Sequence, residues 1–181
     1  MENPFGKNAL RKSTKKVEDI EKSAIAFLER EERELKQLDK KLHDKIQALI
    51  KKCHDIAKFI KKQDIKKITF ADIDTRLKNF SSDIRKLIDT FPKYKFLHQV
   101  INRLVDRIHE YERTLQDGMH NKIFSNTEEL ARSFTISLGN AIEHTLIHDI
   151  EHGIHDHTQK HAKDIKKVRK SLQNLREKHA A

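Results

Sequence analysis

Five of the twelve histidines of this chain fall within the fourteen residues from His144 to His157, and His161 follows just beyond. Neutral imidazole is a ready ligand for transition metals near neutral pH, binding zinc at about 2.0–2.1 Å. On an α-helix turning about 100° per residue, His144, His148, Glu151, His152 and His155 share one side. His144/His148, His148/His152 and Glu151/His155 are i,i+4 pairs, and His152/His155 is an i,i+3 pair. Side chains at those spacings have Cβ atoms about 5–6 Å apart, so two imidazoles can converge on one ion. Further ligands must come from other helices, with His98, His109 beside Glu110, and His54 beside Asp55 as candidates. The same angular count sets His161 in the apolar face centred on Ile154, with His157 at its edge. The candidate site is therefore His144, His148, Glu151, His152 and His155, with His161 as an auxiliary. Its cofactor would be a divalent transition metal: zinc, nickel, iron or copper, which imidazole alone does not separate. Solvated structural histidines, or a pH-responsive surface, are the competing readings.

Other chemistries find less support. Di-iron carboxylate bundles use Glu-x-x-His pairs, and no glutamate here is followed three residues later by histidine. Cys53-His54-Asp55 has the residue types of an activated nucleophile, but helical neighbours point about 100° apart and cannot align. Cys53 falls on an apolar stripe, where a thiol packs as a small hydrophobe. The four glycines (Gly6, Gly118, Gly139, Gly153) are too scattered to form a phosphate-cradling loop. No serine-centred elbow is present. The expectation is a protein that is not an enzyme.

Lys+Arg 38 against Asp+Glu 28 gives a net charge of +10. This excess favours acidic partners, and basic patches lie at Lys7–Lys16, Lys51–Lys67 and Lys160–Lys170. Acidic residues interrupt them, however. With only 6% aromatic residues the chain also lacks the stacking platforms of single-strand binders. Non-specific nucleic-acid binding is thus a secondary alternative.

The elements that must position these residues read as helices throughout. Charged residues are 36% of the chain, with Gly 4, Pro 2 and Trp 0, a composition of long amphipathic helices rather than turn-rich sheets. From Leu35 the stripe Leu35, Leu38, Leu42, Ile46, Leu49, Cys53, Ile56, Ile60 keeps helical spacing. A first helix from about Thr14 to Lys61 would be roughly 70 Å long. Thr69-Phe-Ala-Asp72 reads as a capping box for a second helix carrying Ile73 to Phe91, with Pro92 at its end. A third helix carries Leu97 to Leu115, and Gly118 is its expected stop. Ser125-Asn-Thr-Glu128 reads as another capping box. A fourth helix then runs from Leu130 nearly to the C-terminus, with Gly153 as its expected bend.

These expectations amount to an all-α fold: four main helices in an antiparallel bundle, the long first and last helices forming a coiled-coil-like stalk. Residues 1–13 are expected as a flexible basic segment and residues 14–179 as a single domain. A lone cysteine, no apolar run of about 18–20 residues and no leader-like N-terminus point to a cytoplasmic protein. A helix longer than its own core can cover implies self-association or a protein partner, so an interaction or scaffold role leads. Metal binding or sensing by the histidine cluster is the alternative.

Overall fold

Apolar side chains recurring every three or four positions fold the chain into four helical runs. The computed structural model describes the backbone of residues 4–180 and the side chains of 15–178, with no strand among the described residues. Helix α1 spans Pro4–Lys62, α2 Phe70–Thr90 and α3 Phe96–His120. The last run, 127–180, is continuous but not uniform. It comprises α4 (Thr127–Phe134), a π-helical turn (Thr135–Gly139), α5 (Asn140–His144), a second π-helical segment (Thr145–Glu151) and α6 (His152–Ala180). No helix among the described residues is long and apolar enough to cross a membrane.

Helix α1 begins at Pro4, ahead of the expected start near Thr14. Proline suits a first helical position because the N–H it lacks has no intrahelical partner there. The flexibility expected of residues 1–13 concerns side chains outside the described residues.

The chain divides into two compact units, 42–154 and 1–41 with 155–181, so the residues expected as one domain are shared between them. In the first unit Leu42, Ile46, Cys53 and Ile60 of α1 are buried. So are Ile73, Leu77 and Ile84 of α2, and Leu97, Ile101 and Ile108 of α3. The last run contributes Leu130, Phe134, Leu138, Ile142, Leu146, Ile150 and Ile154, each at most 1% exposed. Their spacing is four residues without exception. In a plain α-helix six such steps of about 40° would carry the row roughly 240° around the axis, out of the core. The two π segments, with i→i+5 hydrogen bonds, turn less per residue and cancel that drift. They are the reason one row stays buried.

The second unit has a thinner core. Ile25 and Ile165 are buried there along with Glu21, Glu32 and Thr158. Arg169 donates to Glu32 at 3.0 Å and Lys166 lies 3.6 Å from the same carboxylate. His161 and His157, expected in or beside the packing face, are exposed. Thr158 takes a buried position instead, about 40° around the axis from Ile154 on the side away from His161.

Helix ends confirm one cap and shift the others. Thr69 and Asp72 form the capping box that their spacing implies, each bonding the other's backbone N–H. At α4 the cap sits one residue later than expected. Asn126 accepts from the Glu129 N–H, while the Glu129 carboxylate accepts from the Ser125 N–H. Gly118 does not stop α3. Ile123 N–H donates to Gly118 C=O and Lys122 N–H to Met119 C=O, a Schellman closure whose left-handed residue is Lys122, at φ 54°. Gly118 instead makes room, since a Cβ there would lie 2.9 Å from Ile123 Cδ1. Gly153 likewise lies within regular α-helix rather than at a bend. A Cβ there would approach the Phe96 ring at 3.3 Å.

Candidate functional site

The π segments that keep the apolar row buried also straighten the histidines, which follow the same four-residue period two positions later. His144 ends α5, His148 lies within Thr145–Glu151 and His152 opens α6. All three are exposed. The His144 and His148 ring centres are 4.6 Å apart with planes tilted by 36°. Those of His148 and His152 are 5.1 Å apart and nearly perpendicular. Three imidazoles thus stack in one column, closer to a straight line than an undistorted α-helix allows.

The remaining candidates are held elsewhere. Glu151 is hydrogen-bonded to Nδ1 of His43 on α1. That bond, reinforced by the charge of Glu151, raises the His43 pKa above its ordinary value. His155 belongs to the other unit, where its Nδ1 lies 2.7 Å from Asp39 Oδ2. His161 is exposed and makes no hydrogen bond or ion pair among the described residues. Of the proposed ligands from other helices, His54 lies 3.4 Å from Glu143 and His109 lies 3.7 Å from Glu112. Among the described residues no three of His, Cys, Asp and Glu are placed to hold a metal ion together.

Sequence reading missed Asp39 and His43, the α1 residues that engage His155 and Glu151. They carry no motif, and only the pairing of distant helices brings them in. A signal was available for the π segments: seven core positions at strict four-residue spacing, which a uniform α-helix cannot keep on one side. Cys53 is buried, and burial, aided by the charge of Glu143, pushes its thiol up to about 12. It is a packed, unreactive group. No protein-family model, curated protein or solved structure matches this chain.

Proposed function

We propose that this protein is a non-enzymatic interaction protein that assembles with a second copy of itself through the unit built from the two ends of the chain. The observation that carries this reading is the distribution of bare apolar side chains. Val17 (41% exposed), Ile20 (60%), Phe27 (49%), Val168 (50%) and Leu175 (47%) all lie in that unit. Two helices have too little surface to cover one another's apolar stripes, and a second pair removes the rest from water. In this reading residues 15–41 and 155–178 form an antiparallel coiled-coil-like stalk and residues 42–154 an antiparallel helical bundle, in a cytoplasmic setting.

Charge selects a second copy as the occupant. Residues 29–34, EREERE, carry four acids and two bases, whereas 163–170, KDIKKVRK, carry five bases and one acid. Glu32 already takes Arg169 and Lys166 of its own chain. A two-fold partner sets its basic segment against the remaining acids, and the reverse, as an isologous interface requires. Sedimentation equilibrium should show a mass that rises with concentration toward a dimer. Ile20→Asp with Phe27→Asp should return the monomer at unchanged helicity. A monomer at every concentration, or no effect of the paired substitution, removes the reading.

The imidazole column supports a second reading, transition-metal binding. Two imidazoles sharing one ion at about 2.1 Å have ring centres roughly 4.5–5.5 Å apart, and both neighbouring pairs fall in that range. Such a site takes two protein ligands and completes its shell with water. His148 belongs to both pairs, so the column holds one ion at a time. Calorimetric titration with nickel or zinc at neutral pH should give one ion per chain. His148→Ala should abolish binding, while His144→Ala or His152→Ala should leave one pair intact. Absence of binding heat rejects it.

A further inference from the structure

Between α3 and the π-helical segment Thr145–Glu151 lies an open hollow of about 580 Å³. Its floor is apolar, made by Leu104, which is 2% exposed, and half-buried Val100. One wall carries Arg103 and Arg107, one turn apart on the same side of α3. Residues at that spacing hold their Cβ atoms about 5–6 Å apart, so both guanidiniums reach one ligand. Neither makes a hydrogen bond or ion pair among the described residues. The opposite wall carries the Thr145 hydroxyl, the His148 imidazole and a single acid, Asp149.

We propose that this hollow is a binding site for a phosphate-bearing anion, clamped by Arg103 and Arg107 and oriented from across by Thr145 and His148. Guanidinium is the side chain that matches phosphate oxygens in a bidentate way. Two of them one turn apart, without a protein partner of their own among the described residues, leave both forks available to one ligand. Thr145 and His148 add polar groups from the facing wall. Asp149 opposes the anion and holds the empty site's positive charge in check, so binding must compete with it. The inference does not depend on self-association or on metal binding.

Phosphate oxygens reach such a site either on a soluble molecule or on a lipid headgroup, and the test has an arm for each. Pyrophosphate is titrated calorimetrically into the full chain, and flotation is measured on vesicles of phosphatidylcholine with and without phosphatidic acid. Arg103→Gln and Arg107→Gln should each weaken binding by about tenfold or more. Arg85→Gln, an exposed arginine on α2, should change it by less than about twofold, since screened surface charge contributes little. Asp149→Asn should tighten binding several-fold, which loss of a merely structural residue would not do. Pyrophosphate binding with this pattern assigns a soluble ligand. The same pattern confined to phosphatidic acid vesicles assigns a headgroup. Absence of binding in both arms, equal weakening by Arg85→Gln, or indifference to Arg103→Gln and Arg107→Gln overturns the proposal. All four positions are exposed, and circular dichroism confirms that each variant keeps its helicity.

Discussion

Glu112 of α3 is 8% exposed and meets Asp74 of α2. As two carboxylates they leave Glu112 Oε1 and Asp74 Oδ1 buried without partners. A proton on Glu112 satisfies both atoms at once, because a carboxylic acid donates where a carboxylate cannot. Burial first, then the hydrogen bond that its protonated form gives to Asp74, raises the Glu112 pKa, and His109 only partly opposes this. Lys78 donates to Asp74 at 2.8 Å. A carboxyl whose folded pKa lies above its unfolded value near 4.5 stabilises the fold at low pH. That contribution is complete below the unfolded value and is lost as pH rises through the folded one. Glu112→Gln supplies a permanent N–H donor and should flatten this slope. At neutral pH it should stabilise by about 1 kcal/mol, roughly 2–4 °C in Tm. Thermal melts from pH 4.5 to 7.5 check it, and a wild-type slope retained in the variant refutes the assignment. Nothing in the sequence marks Glu112, since its partner is thirty-eight positions away (74 to 112) on another helix. The histidine column was legible for the opposite reason: His144, His148 and His152 are neighbours within one helix.

At the scale of elements, local signals were read where the side chain and the backbone it caps are close in sequence. The Thr69–Asp72 box is such a case, as is the end of α2 at Phe91 before Pro92. The end of α3 was misread because glycine was assumed to take the left-handed position. Lys122 takes it instead, at φ 54°, and Gly118 is kept by the approach of Ile123 and Phe124. A β-carbon in that conformation costs on the order of 1 kcal/mol. Lys122→Gly should therefore raise stability by up to about 1 kcal/mol in chemical denaturation, the relief of strain exceeding the added freedom of the unfolded chain. A loss of stability would mean that the Lys122 side chain contributes more than its backbone costs. The π segments belong to this scale too. They convert a four-residue apolar period, which α geometry would spiral, into a straight buried row with the imidazole column beside it.

At the scale of the whole molecule, exposed apolar surface among the described residues is concentrated rather than scattered. Among the described residues, five large exposed hydrophobic residues lie in the unit made by the chain ends, against Ile123 and Ile136 in the other. The proposed assembly through that surface would stabilise the folded state by mass action. The thermal midpoint should accordingly climb with protein concentration, and the Ile20→Asp, Phe27→Asp variant should lose that dependence. Sequence alone determined the helical class, the helix boundaries to within a turn or so except at the start of α1, and the histidines that share a flank. Those follow from periodicity and capping, which act over three or four residues. Tertiary structure decided which carboxylates meet His43 and His155, which acid burial pushes toward its protonated form, and where two arginines face a threonine and a histidine across a hollow. Those depend on distant helices packing at a particular register, and that register is set by the summed burial of many side chains rather than by any local signal.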